Sequence, residues 1–199
     1  MNKKDLIKLI KNQVCELAVG ASALRNQGAP GLINTARQYF KQLDPSIFVK
    51  PKESEFLTEL NNHTEKLRKK FPKNAQNWGA ARKALNLFIR NLLYNKYLCD
   101  YYSLLKIEHY LELPLDSYTA KGLRKLNKNL PKWRSIKTLT KEENKQFQIF
   151  AANYAKSENI AKIHLDIKFW RNSKIEQFAT GNRKRCAFPL PELKCYKKQ

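Results

Sequence analysis

Apolar residues recur along this chain with the period of a helix nearly everywhere. Leu6, Leu9, Ile10, Val14, Leu17 and Ala18 fall on one face of a first helix, because side chains three and four apart share a side of the helical cylinder. Gly28-Ala29-Pro30-Gly31 breaks the chain. A helical pattern returns from Leu32 to Leu43 and stops at Asp44-Pro45. Another runs from Phe56 to Leu67 and closes at Phe71-Pro72. Asn74 to Gly79 reads as a polar turn, and from Ala80 the longest helical run begins. There Leu85, Phe88, Ile89, Leu92 and Leu93 keep a period of about 3.6 residues.

Beyond Pro114 the pattern predicts a helix over 117–127, then an irregular basic segment from Asn129 to Lys137 that holds Pro131 and Trp133. Thr140 and Glu143 have capping-box spacing, in which hydroxyl and carboxylate each satisfy a free amide of the other residue. Phe147, Phe150, Ala151, Tyr154 and Ala155 follow at helical intervals. Ser157 is placed to cap a last long helix carrying Ile160, Ile163, Ile167 and Trp170, and the tail over 181–199 is basic and proline-containing. No segment alternates as a strand would, and no internal repeat is visible. The expected fold class is all-α: one helical domain over 1–199, of one or two lobes.

Charge narrows the partner. The chain carries 39 Lys and Arg against 17 Asp and Glu, a formal net charge of +22 over 199 residues. Self-repulsion on this scale disfavours a compact state, and a polyanionic partner accounts for its persistence. Double-stranded DNA is the first candidate, because neutralised phosphates release counterions. No stretch is apolar enough to cross a membrane, and the cations are not gathered on one amphipathic segment. Hydrophobic residues at 42% and aromatics at 11% suffice for a core. Cys15, Cys99, Cys186 and Cys195 form no CxxC motif, and Met1-Asn2-Lys3-Lys4-Asp5 opens no apolar signal core. Free thiols in a cytoplasmic monomer are the expectation.

Two short segments carry candidate chemistry. In Trp78-Gly79-Ala80-Ala81-Arg82-Lys83, small residues and then two cations open a helix, the composition of a turn whose backbone amides meet a phosphate. In Leu113-Pro114-Leu115-Asp116-Ser117-Tyr118, one acid stands where a helix begins. That carboxylate serves either as an N-cap or as a fixed, ionised group for catalysis. His63, His109 and His164 show no metal-ligand spacing, and no GxSxG, Walker or dinucleotide motif is present. Neither a metal nor a cofactor is expected.

Together these segments resemble the helix–hairpin–helix DNA glycosylase superfamily, which includes endonuclease III and the 8-oxoguanine glycosylases. Gly79 stands at the first glycine of that hairpin, with Arg82 and Lys83 at its basic pair, whose second member is the catalytic lysine of bifunctional members. Ala81 replaces the hairpin's second glycine. Pro114-Leu115-Asp116 matches the Pro-x-Asp element whose Asp is catalytic, and His164-Leu165-Asp166 to Arg171 is similar to the helix before the iron–sulfur loop of endonuclease III. Only Cys186 and Cys195 follow it, too few for a four-thiolate cluster. The likeness spans residues 72–172, with the hairpin over 72–95 and the Asp segment over 112–127. The interval from Lys83 to Asp116 exceeds the family's usual spacing, which places an extended helix or insertion between Tyr94 and Glu112.

The resemblance implies a base-excising enzyme with Asp116 and Lys83 as its catalytic residues. Asp116 would face the positive charge that develops on the sugar as the base leaves. Lys83 would attack the sugar carbon, or else clamp a phosphate. Gly79, Ala81, Arg82, Lys121, Arg124 and Arg25 are the DNA-contact candidates, joined by the cationic sets Arg68-Lys69-Lys70, Arg124-Lys125 and Arg183-Lys184-Arg185. Base extrusion needs a wedge and a pocket. Trp78, Tyr94, Tyr118, Trp170, Asn26 and Gln27 are the candidates by position, each with a core or connecting role as its alternative. Asp166 is a second acid or a packed polar group. Two other functions fit the charge: a non-enzymatic nucleic-acid-binding protein, and a helical partner for an acidic protein or structured RNA. An oxidised, alkylated, deaminated or hypermodified base stays open, and with it repair or phage defence.

Overall fold

A computed structural model describes residues 1–20, 23–24 and 29–170. Helix α1 (Lys3–Ala18) starts at Asn2, whose side chain accepts the Asp5 amide at 2.9 Å. Helix α2 (Leu32–Gln42) follows Gly31, whose φ of 82° is a left-handed angle that suits a residue without Cβ. Helix α3 (Glu53–Lys70) has Glu53 and Glu55 in its first turn and Arg68, Lys69 and Lys70 in its last, both favourable to the helix dipole. Helix α4 (Trp78–Tyr94) is followed by α5 (Lys96–Tyr102), which ends at Ser103 with φ 56°. A 3-10 segment (Leu104–Tyr110) and an irregular stretch over 111–115 lead to α6 (Ser117–Leu126) and then to α7 (Lys141–Ser157). Residues 165–170 are helical as well, and no strand occurs among the described residues. The all-α class expected from the periodicity is the class observed.

Apolar side chains collect in two clusters. The larger joins α1 to α5 and the 3-10 segment, with Phe40 stacked on Phe88 at a centroid distance of 4.4 Å. The smaller gathers Leu113, Leu115, Leu123, Phe147, Ala151, Leu165 and Phe169 around α6 and α7. Helix α4 is the axis of the first cluster: Ala80, Ala81, Ala84, Leu85 and Phe88 are wholly buried. At its start Trp78 packs on the second. Cys15 and Cys99 are free and buried, and burial pushes the Cys15 thiol up to about 11, so it is no nucleophile at neutral pH.

Two boundaries differ from the periodicity reading. Helix α4 begins at Trp78, so Gly79 lies inside its first turn rather than in a polar connection. Ser157 ends α7 instead of capping a new helix, and its hydroxyl donates to the Tyr154 carbonyl at 2.7 Å. Asn159 then turns the chain with φ 54°, Lys162–His164 form a 3-10 turn, and the next helix starts only at 165. The apolar spacing of Ile160, Ile163 and Ile167 spans this break, which is why period alone conceals it.

Gly79 shows how tightly α4 is covered. A Cβ there would overlap the Ile136 carbonyl oxygen and press on the Leu139 side chain. Gly→Ala inside a helix ordinarily stabilises by about 1 kcal/mol. Here Gly79→Ala is expected to destabilise instead, by about 1–3 kcal/mol, because backbone must move to make room. A urea midpoint equal to or above wild type would show that the 136–139 segment yields freely.

Candidate active site

The long interval between Lys83 and Asp116 is a round trip. Helix α4 runs on for three turns past Lys83, carrying the chain about 16 Å away. Helix α5 and the 3-10 segment turn it back, held by the buried Leu98, Leu104 and Ile107 in the larger cluster. Residues 111–115 complete the return. Lys83 Nζ then stands 3.6 Å from Asp116 Oδ2, with the Lys83 side chain 11% exposed and that of Asp116 26%. The excess sequence expected between Tyr94 and Glu112 is therefore a short helix and a 3-10 segment, with α4 itself ending at Tyr94.

The returning stretch is locked by buried polar groups. The Glu112 carboxylate accepts from Arg82 Nε at 2.9 Å, Arg82 Nη2 at 3.1 Å and Asn86 Nδ2 at 3.1 Å, with Asn144 Nδ2 a longer contact at 3.3 Å. Burial alone would raise this carboxyl. The Arg82 charge, the Arg82 and Asn86 hydrogen bonds and the Lys162 charge outweigh that and hold it below the usual carboxylate range. One residue on, Gln148 of α7 grips both sides of Leu113: Oε1 accepts its amide at 2.9 Å and Nε2 donates to its carbonyl at 2.8 Å. Asp116 thus follows a backbone tied to both α4 and α7.

At Asp116 the two carboxylate oxygens divide their roles. Oδ1 accepts the amides of Tyr118 at 2.8 Å and Thr119 at 3.0 Å, while Thr119 Oγ1 accepts the Asp116 amide at 2.7 Å, closing a capping box. Oδ2 is the oxygen that faces Lys83. Burial, with the Arg90 charge adding to it, pulls the Lys83 amine below the ordinary lysine value, against the opposing pull of Asp116. A partly desolvated amine beside a rigidly held carboxylate is an arrangement that can place a nucleophile and a negative charge on one reacting carbon.

Farther along this face of α4, Arg90 pairs with Asp166. One turn beyond, the Tyr94 hydroxyl hydrogen-bonds His164 Nδ1 at 3.0 Å, and His164 Nε2 meets Glu108 Oε1 at 3.0 Å. Tyr94 is thereby engaged with His164, although it stays 42% exposed.

Several candidate contacts need correction. Arg82 is 4% exposed and spent on Glu112, Thr64 and Asn61, so it does not reach a phosphate. Gly79 and Ala81 are buried beneath their own chain and do not form an open phosphate-binding turn. The 136–139 segment closes over Gly79 at the start of α4, and the hairpin element is not confirmed. Trp78 is half-buried beneath the Arg82 guanidinium at 5.3 Å and lines a cleft of about 440 Å³ with Arg68, Gln76, Lys137 and Thr140. Arg124 is half-buried, and its Nε donates to the Leu130 carbonyl at 3.3 Å. Lys121 is exposed on α6, Tyr118 is exposed in its first turn, and Trp170 is exposed four residues after Asp166. Arg25, Asn26, Gln27, Arg183-Lys184-Arg185, Cys186, Cys195 and the 181–199 tail lie outside the described residues.

Glu112, Asn86, Asn144 and Gln148 were not singled out from the sequence. The available signal was an acid flanked by leucines in Leu111-Glu112-Leu113, which asks for a buried cation. Among the described residues no cluster of His, Cys, Asp and Glu could hold a metal ion, and no helix is long and apolar enough to cross a membrane. No family profile, curated protein or solved structure matches the chain.

Proposed function

We propose that this protein is a DNA glycosylase with an associated AP-lyase step, Asp116 and Lys83 being its catalytic residues. The observation that carries this reading is the 3.6 Å approach of Lys83 Nζ to Asp116 Oδ2 across a long sequence interval, in a chain of net charge +22. As the C1′–N bond of an extruded nucleotide breaks, the base leaves with the electron pair and takes up a proton. Asp116 Oδ2 faces the positive charge left on the sugar. The neutral Lys83 amine bonds to C1′, and the proton it sheds passes to the Asp116 carboxylate. The C1′–O4′ bond then breaks, O4′ leaving with the electron pair and taking the proton back from Asp116, and the resulting protonated imine permits loss of a C2′ proton and departure of the 3′ phosphate. Lys121 and the net positive charge hold the backbone, and Tyr118 stands at the rim beside Asp116.

Lys83→Gln is expected to abolish borohydride-trapped adduct on a duplex with an abasic site, by at least about 10²-fold, while leaving DNA binding within a few-fold. Trapping that survives in this variant would remove Lys83 from the reaction. Because the neutral amine is the nucleophile, trapping should rise with pH and reach its plateau below the pH where free lysine titrates. A panel of duplexes bearing different modified bases, treated with and without alkali, identifies the base.

One observation favours a second reading. The capping box by itself accounts for an acid at position 116. In a non-enzymatic nucleic-acid-binding protein the Lys83–Asp116 contact would be a structural ion pair. That reading predicts steeply salt-dependent binding and no abasic product from any duplex in the panel.

A further inference from the structure

The helical residues 165–170 bring a second acid to the face of α4 that carries Lys83. Arg90 follows Lys83 by about two turns, so both side chains leave the helix on one side, roughly 10 Å apart along its axis. Asp166 pairs with Arg90, and the two side chains are 13% and 20% exposed respectively. The acid is not placed by this pairing alone. His164 is tied to Tyr94 and Glu108, and Phe169 lies against Gly122 of α6 so closely that a Cβ there would overlap its ring. Asp166 is therefore presented by a segment anchored on α4, α6 and the 3-10 segment Leu104–Tyr110.

The charges around Lys83 form a row. Asp116 faces it from the start of α6, Arg90 from its own helix, and Asp166 stands behind Arg90 on 165–170. Tyr94, His164 and Glu108 lie one turn beyond Arg90. A cation at Arg90's distance disfavours the ammonium form of Lys83. An acid paired to that cation weakens this effect.

We propose that Arg90 and Asp166 are the positioning pair of the Lys83–Asp116 site, Arg90 supplying a fixed positive charge to it and Asp166 limiting that charge. This rests on Lys83 and Asp116 being the reacting groups. The consequence is a sign rule. Removing Arg90 should make Lys83 harder to deprotonate, and removing the Asp166 charge should make it easier. Two residues that merely fasten 165–170 to α4 would have no such opposite effects.

The test reads Lys83 directly and the reaction separately. Competitive acetylation of the full chain, followed by mass spectrometry of the Lys83 peptide across pH, gives the titration midpoint of the amine. For Arg90→Gln the midpoint should rise by about half to one pH unit, and for Asp166→Asn it should fall by a similar amount. The double variant should return close to wild type. In parallel, borohydride trapping on a duplex with one abasic site should show its acid limb displaced in the same two directions. Midpoints that stay fixed, or move the same way in both variants, overturn the proposal even where wild-type trapping is strong. Opposite midpoint shifts with no adduct from the wild type would uphold the charge coupling while refuting the catalytic reading beneath it.

Discussion

Asp116→Asn should abolish base release, by about 10²–10³-fold in single-turnover rate, while the protein stays folded and bound to DNA. The substitution separates the two roles that one side chain combines. Asn caps a helix about as well as Asp. Its amide oxygen can accept the Tyr118 and Thr119 amides that Oδ1 accepts now. What disappears is the negative charge at Oδ2, the oxygen turned toward Lys83. The expected stability loss is therefore small, under about 1 kcal/mol, against a large loss of turnover. Fluorescence-anisotropy binding and a denaturant melt run beside the rate assay give the split. A variant that excises at the wild-type rate would leave Asp116 with capping as its whole function.

Arg82→Met is expected to have the largest effect on stability, a loss of about 3–5 kcal/mol at neutral pH, because it strands a buried carboxylate. Whole domains are typically stable by only about 5–15 kcal/mol. The pH dependence has a definite sign. In the wild type the folded Glu112 carboxyl titrates below its unfolded value. Its contribution is thus complete above the unfolded carboxylate range and fades as pH falls through the folded one. Without Arg82, burial dominates and reverses that order, so the penalty is greatest at neutral pH and shrinks on acidification, as Glu112 takes up a proton. Adding Glu112→Gln should recover part of the loss, a non-additivity that marks a direct pair. Urea melts at two pH values on the single and double variants measure it. A change within about 0.5 kcal/mol would return Arg82 to the surface role that the sequence suggested.

That contrast between Arg82 and its neighbour explains how much the sequence disclosed. Helices α1, α2, α3 and α7 follow from apolar spacing, and the Thr140–Glu143 box forms as its spacing predicts, with mutual bonds of 3.0 and 3.1 Å. Arg82 and Lys83 read as one basic pair, yet successive helical residues point about 100° apart. One turns inward to Glu112 and the other to Asp116. Which goes where depends on what packs against α4, and that is decided by Glu112 and by the 136–139 segment, far away in sequence. The break at Asn159 was hidden for a similar reason, since apolar residues on both sides of it happen to keep a helical interval. Asp116 was legible because a helix start constrains its own neighbours.

The excursion through α5 and the 3-10 segment has a consequence for how such chains are found. Its two ends are pinned independently, the outgoing one by the length of α4 and the incoming one by the Gln148 grip on Leu113. Between those pins the chain has only to close, and closing a longer detour costs little more than closing a shorter one. The number of residues between an amine and its acid then carries no information about whether they meet. What should recur among related chains is the pair of anchors, with detours of differing length hung between them.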